Sequence, residues 1–217
     1  MGTVALAVVI LAGGASRRMG RDKASLVLAG AQGASLLERT VAAARSAGAT
    51  QIVVVGDRPV PGSDDLHGVL FVREDPPRSG PVPALDTALA EVDADLVMVL
   101  PCDLAHPREA CRELVNAMEA IGAAAGPDAE RESSTDGVVA VDAGGHRQHL
   151  TALFHTETLR RTATPGSTRV RERVAGLVLV EVPEPAGLPE IWDDMDTPED
   201  VERIRTDSGN TDRRTHP

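Results

Sequence analysis

Val4-Ala5-Leu6-Ala7-Val8-Val9-Ile10, running straight into Leu11-Ala12-Gly13-Gly14-Ala15-Ser16-Arg17-Arg18-Met19-Gly20-Arg21-Asp22-Lys23, is the stretch from which the fold is read. Its first seven residues are apolar without alternation, the pattern of a parallel strand covered on both faces. The loop behind them gathers three glycines, three arginines and a lysine. Glycine lets backbone N–H groups approach a ligand closely, and the cations answer a polyanion. A loop of this make-up after a first strand is a place for phosphates. It is not a Walker loop, because no Gly-Lys-Ser/Thr closes it, and it lacks the dinucleotide spacing G-x-G-x-x-G. By composition alone, a glycine-rich surface turn with solvated arginines remains the alternative.

Working outward, Ser35-Leu36-Leu37-Glu38 has the form of a capping box. The helix it opens over 36–46 places Leu36, Leu37, Val41 and Ala44 on one face and ends near Gly48. Residues 51–55 and 69–72 are apolar runs of strand length, with a loop-like stretch over 57–68 between them. Strand, loop, helix, strand is the beginning of a doubly wound α/β sheet. After Glu74-Asp75-Pro76-Pro77, prolines open a second helix whose apolar face is Leu85, Ala88, Leu89 and Val92. A fourth strand over 96–100 closes on Pro101-Cys102-Asp103, and the carboxyl ends of strands are where open α/β sheets bind ligands.

Farther on, 106–121 reads as a helix with Cys111 on its core face, and 122–136 as a mobile surface connection. Strands are expected at 137–141 and 150–154 across the Gly144-Gly145 turn, short helices at 157–161 and 167–174, and a late strand at 177–182. Thr197 and Pro198 suit the start of a last helix. The whole reads as one α/β domain with a mostly parallel sheet over 1–205, followed by a frayed polar tail, 206–217.

Composition narrows the function. The chain has 217 residues, enough for one sizeable core. Trp192, Phe71 and Phe154 are its whole aromatic set, too few for base-stacking platforms, and a net charge of −11 opposes a nucleic-acid footprint. An acidic protein with one basic loop fits a small anion in a focused site instead. Cys102 and Cys111 match no zinc signature and make no disulfide framework, which suits a reducing, cytoplasmic setting. The N-terminal apolar run is too short to span a bilayer, so no membrane partner is expected, and it lacks a cationic n-region, so no signal peptide is expected.

Cations in one loop and carboxylates at Asp75, Asp103 and the Asp194/Asp196 pair form the pattern of a magnesium–nucleotide site. Mg2+ takes one or two protein carboxylates and fills its octahedron with water and phosphate oxygens. Asp103 is the first choice of ligand; its structural alternative is a turn cap. Glu74-Asp75-Pro76-Pro77 can equally be a solvated turn. Asp194 and Asp196 point to one side in extended backbone, or else complement the dipole of the helix behind them.

The loop 11–23 resembles the signature loop of nucleotidyltransferases with a Rossmann-like fold, and among them the molybdenum cofactor guanylyltransferase family. The resemblance continues in order through Glu74-Asp75, Gly80-Pro81, Pro101-Cys102-Asp103 and Asp196-Thr197-Pro198-Glu199, spanning residues 4 to about 205. It implies a single-domain, Rossmann-like three-layer sandwich. It also implies attack by the terminal phosphate of molybdopterin on the α-phosphorus of GTP, with release of pyrophosphate.

By that resemblance the backbone of Leu11, Ala12, Gly13 and Gly14 holds the nucleotide, and Asp75 matches a nucleotide-contact position. Arg18 and Lys23 neutralise phosphates, Lys23 touching the nucleotide as well. Asp103 contacts the nucleotide and binds Mg2+, with Asp196 as a second candidate ligand. GTP and molybdopterin are the implied small-molecule partners, with transient contact to proteins that supply molybdopterin. An ionised phosphate is already a nucleophile, so no Ser-His-Asp or Cys-His set is needed, and none is evident. Gly13 stands where cytidylyltransferase relatives typically carry alanine, and the missing methyl leaves room for guanine.

Two departures stand out: Val82-Pro83-Ala84, where the family often has Ala-Gly at the last two positions, and Asp194-Met195-Asp196, where it can carry two asparagines. The stretch His146-Arg147-Gln148-His149 lies where the family approaches its acceptor, without a match close enough to assign roles. A CTP-using relative, one with another phosphorylated acceptor, and a nucleotide-binding module without turnover are the alternatives.

Overall fold

The N-terminal apolar run forms an interior strand of a seven-stranded sheet, β1 (Leu6–Leu11), in which Ala7, Val8, Val9 and Ile10 are wholly buried. This is a computed structural model, and it describes residues 4–12, 34–58, 64–125, 135–163, 167–188, 190–195 and 200. After β1 come α1 (Leu36–Ser46), β2 (Gln51–Val55), β3 (Leu70–Val72), α2 (Pro81–Glu91), β4 (Leu96–Pro101) and α3 (Pro107–Ala125). A hairpin of β5 (Gly137–Val141) and β6 (Arg147–His155) follows, then α4 (Thr156–Arg161), α5 (Val170–Arg173) and β7 (Leu179–Pro183). The strand order is β3-β2-β1-β4-β6-β5-β7, and β6 alone of these runs antiparallel to its neighbours.

Both faces of the sheet are covered, which is why β1 shows no alternation. Val8 and Ile10 pack with Leu37, Val41 and Ala44 of α1 and with Cys111, Leu114 and Met118 of α3. Ala7 and Val9 point the other way, onto Leu85, Ala88 and Leu89 of α2, with Leu159 of α4 and Val170 of α5 in the same layer. The expected three-layer α/β sandwich with a mostly parallel sheet is what the chain adopts.

The local signals behave as their chemistry dictates. Ser35 Oγ accepts the Glu38 N–H at 3.2 Å while Glu38 Oε2 accepts the Ser35 N–H at 2.6 Å, so the capping box is closed. Pro81 and Pro83 occupy the first turn of α2, where N–H groups have no intrahelical partner to lose. The departure at Val82-Pro83-Ala84 is thereby absorbed into a helix start, with Val82 and Ala84 buried. Gly80 ahead of it has φ 111°, a backbone conformation that favours glycine.

Several boundaries differ from expectation. Helix α3 continues to Ala125 instead of ending at 121, because Ala123-Ala124-Ala125 are strong helix formers and outweigh one glycine, Gly122. The helix expected over 167–174 is only Val170–Arg173, since Arg169 is extended at φ −113°, ψ 120°. That short helix docks through Arg173, 3% exposed, which pairs with Asp86 of α2 and donates to Leu159 O and Thr162 Oγ1, each at 3.3 Å. The last strand starts at Leu179, two residues late, because the Leu177 N–H closes a turn on Val174 O at 3.0 Å. Strand β6 begins at Arg147, three residues before the expected start, as it is zipped to β5 directly from the turn. The Thr197/Pro198 helix start and the 206–217 tail fall outside the described residues.

Cys111 is fully buried and Cys102 is 5% exposed, and burial pushes the Cys111 thiol up to about 12. Ellman's reagent is therefore expected to leave both thiols unmodified in the native protein at pH 8 and to label both once denaturant is added. One equivalent reacting rapidly without denaturant would contradict this packing.

Candidate active site

The carboxyl ends of the six parallel strands and the amino end of β6 share one edge of the sheet. From β1 the chain steps through α1 to β2 on one side; from β3 it crosses back through α2, on the opposite face, to β4 on the other side. The order thus reverses between β1 and β4, and such a switch point leaves a crevice beyond the strand ends. Leu11-Ala12 and Asp103 stand on its two sides.

The exit of β1 is fixed from both neighbours. The Ala12 N–H donates to Val55 O at 2.9 Å, and Leu11 O accepts the Cys102 N–H at 3.2 Å. The chain therefore enters the glycine-rich loop from a rigid ladder. Gly13, Gly14, Arg18 and Lys23 lie outside the described residues, as does Asp196, so the expectations placed on them carry no structural account.

Asp103 is half-buried in the turn after β4. On one side of that turn, Thr40 Oγ1 of α1 donates toward Cys102 O at 3.2 Å and Arg39 Nη2 donates to Ala105 O at 3.0 Å. On the other, the Met195 N–H donates to Asp103 O at 2.8 Å and the Ala105 N–H to Asp193 O at 2.9 Å, around an antiparallel bridge of Leu104 with Asp194. The segment carrying the second aspartate motif is thus brought against the first. Met195 is buried at 1% exposure and Asp194 is exposed.

Asp75 sits three residues past β3 and is exposed. The buried carboxylate of that turn is Glu74, whose Oε1 accepts the Arg78 N–H at 2.7 Å. Glu74 closes the loop on itself and leaves Asp75 facing solvent. Helix α2 then packs back on β2 and β1, so the Glu74–Gly80 segment returns along the site edge, and Gly80 lies beside Thr168 O.

At the amino end of β6 the pairing with β5 jumps from Val139↔Ala152 to Ala140↔Gln148. His149, Leu150 and Thr151 have no partner on β5 and form a bulge, a device that re-aims side chains. Burial lowers the pKa of His149, and the charges of Arg147 and Arg171 lower it further. Beside it the Asp142 carboxyl is held below the usual range, chiefly by the His146 backbone N–H and also by Gln148. His146 is exposed on the turn.

No group of three or more His, Cys, Asp and Glu able to hold a metal occurs among the described residues. A ready-made protein cage is not what Mg2+ bound to a nucleotide uses, however. One carboxylate in the turn at a strand's carboxyl end, with phosphate oxygens and water completing the shell, is a fitting donor set. Arg39 and Thr40, which hold the Asp103 turn from α1, are not among the residues that the sequence motifs single out. The available signal was a polar residue, Thr40, on the apolar face made by Leu36, Leu37 and Val41.

The sequence matches the family described as MobA-like NTP transferase domain over residues 8–176. It is 41% identical over 98 residues to the molybdenum cofactor guanylyltransferase of Xanthomonas euvesicatoria pv. vesicatoria, covering 44% of this chain and 46% of that protein. It is 32% identical over 164 residues to the probable molybdenum cofactor guanylyltransferase of Mycobacterium tuberculosis, covering 75% of this chain and 74% of that one. In three dimensions it is similar to the crystal structure of molybdopterin-guanine dinucleotide biosynthesis protein A from Archaeoglobus fulgidus. The TM-score is 0.65 over 94% of this chain and 99% of that one, at 18% identity, a likeness of fold. The family match runs from β1 past α5 and takes in both walls of the crevice; the chain belongs to the MobA-like NTP transferase domain family.

Proposed function

We propose that the chain is a guanylyltransferase that transfers GMP from GTP to the terminal phosphate of molybdopterin. A phosphate oxygen of the acceptor attacks the α-phosphorus, a new P–O–P bond forms, and the bond to the β-phosphate oxygen breaks to release pyrophosphate. The observation that carries this reading is the switch-point crevice, with the Leu11-Ala12 backbone on one wall and the Asp103 turn on the other. It is supported by the names of the relatives, whose activity is theirs and is carried to this chain only here.

The reacting oxygen is already ionised, so the protein needs no activated side-chain nucleophile. Its work is to hold two polyanions in line and cancel their repulsion. In this reading the backbone of Leu11, Ala12, Gly13 and Gly14 cradles the nucleotide, and Asp75 reaches it from the β3 side. Arg18 and Lys23 set positive charge against the phosphates. Asp103 would hold Mg2+, with Asp196 a second candidate; the ion, when bound, supplies charge neutralisation between phosphate oxygens. Gly13, lacking a methyl group, leaves space beside a purine. The bulge at His149, with Arg147 and Arg171 near it, lies on the side of the crevice away from β2 and suits the anionic acceptor. Among the described residues no helix is long and apolar enough to cross a membrane. The reading places the reaction in the cytoplasm, with molybdopterin received through transient contact with the proteins that supply it.

Thermal shift with GTP, CTP and ATP, each with and without Mg2+, tests the nucleotide assignment. GTP with Mg2+ at a hundredfold excess over its Kd should stabilise the fold by about 2.7 kcal/mol, and CTP should do far less. Protection by CTP and not by GTP would overturn the guanine assignment.

A further inference from the structure

The turn that carries Asp103 is gripped from α1 by two side chains that cannot be explained by helix formation. Thr40 is wholly buried on an apolar helix face. Its hydroxyl lies 3.0 Å from Leu36 O of its own helix, which alone would satisfy it, and also 3.2 Å from Cys102 O across the core. Valine would fill the same space without a polar group to desolvate. Arg39, at the preceding position, turns a half-buried guanidinium onto Ala105 O at 3.0 Å, and its Nη1 is buried with no hydrogen-bond partner among the described residues. Among the described residues that guanidinium has one backbone carbonyl as hydrogen-bond partner, and the Glu109 carboxylate near it offsets only part of the cost of burying its charge, which keeps its pKa below the ordinary value.

The two carbonyls flank Asp103, one residue before it and two after. With the Met195 N–H on Asp103 O from the opposite side, the backbone on both sides of the carboxylate is pinned. We propose that Thr40 and Arg39 are positioning residues that aim the Asp103 carboxylate into the crevice. This rests on the reading that Asp103 serves the metal–nucleotide complex. At 0% exposure Thr40 touches no substrate, so it acts through Asp103 alone.

Thr40→Val removes the hydroxyl and keeps the shape; Thr40→Ser keeps the hydroxyl. Mn2+ binding to the GTP complex, read by electron paramagnetic resonance, reports on the site without turnover. The Mg2+ concentration giving half-maximal rate is read beside it, well below every variant's Tm. Thr40→Val should weaken Mn2+ binding and raise the Mg2+ requirement by about 10- to 100-fold, the usual effect of losing an outer-shell partner. Thr40→Ser should return both to near wild type, a rescue that a merely structural role does not require. Arg39→Met, read identically, carries the test should Thr40→Val not fold. Wild-type Mn2+ binding in the folded variant, or a Thr40→Ser protein as impaired as Thr40→Val, would overturn the inference. Asp103→Asn in the same assays separates the two levels: if it binds Mn2+ like wild type, the assignment of Asp103 falls and takes this inference with it.

Discussion

Asp103→Asn should lower nucleotidyl transfer by at least about 10²–10³-fold, by analogy with the removal of one group that stabilises transition-state charge. Asparagine keeps the size and planarity of the side chain and removes only its charge. The turn itself should survive, because it is held through backbone atoms: Asp103 O by the Met195 N–H, Cys102 N–H by Leu11 O, and the flanking carbonyls by Thr40 and Arg39. The half-buried position adds little to the core, so Tm should move by no more than a few degrees. Steady-state pyrophosphate release at saturating GTP and varied Mg2+ checks the effect. Full activity in the variant would remove Asp103 from the site.

Gly137→Ala should destabilise the fold by about 2–3 kcal/mol, in the range for forcing extra atoms into a packed interior. A Cβ at residue 137 would lie 2.4 Å from Leu153 O, 3.0 Å from Phe154 Cα and 3.2 Å from Phe154 Cδ1. The first two are backbone atoms of β6, an interior strand that pairs with β4 at Met98↔Leu153 and Val97↔Phe154. Leu153 and Phe154 are each only 1% exposed, so β6 has no free space into which to retreat. Gly122 in α3, whose Cβ would meet nothing within 4 Å, is the internal control: Gly122→Ala should be neutral or slightly stabilising. Urea denaturation distinguishes them, with a lower midpoint for Gly137→Ala at unchanged m. A midpoint equal to wild type would contradict the tight approach of β6 to β5.

These two residues also mark what a linear reading reaches. The place of Asp103, just past the carboxyl end of an interior strand, is legible because a buried strand followed by Pro-Cys-Asp is a local pattern with a known address in α/β sheets. The Ser35–Glu38 box and the prolines of α2 were legible for the same reason, since their partners lie within four residues. Gly137 reads as an ordinary strand residue; its constraint comes from Leu153 and Phe154, which the fold lays across it. The insertion of β6 between β4 and β5, the bulge at His149, and the hold of Arg173 on Asp86 are likewise contacts between distant segments. Thr40 stood in plain view as a polar residue on an apolar face, but its partner Cys102 is 62 positions away. Glu74 and Asp75 show the limit most clearly. Adjacent acids have the same local chemistry, and only the path of the turn buries one against the Arg78 N–H and exposes the other.

The central claim is tested most directly by incubating the protein with molybdopterin, Mg2+ and either GTP or CTP, and following both products. Pyrophosphate is measured enzymatically and the pterin by mass spectrometry. With GTP, pyrophosphate should appear in equal amount to a pterin product heavier by one GMP residue, and neither should appear when molybdopterin is left out. Product formed from CTP in place of GTP, or no pyrophosphate from either nucleotide, would contradict the account.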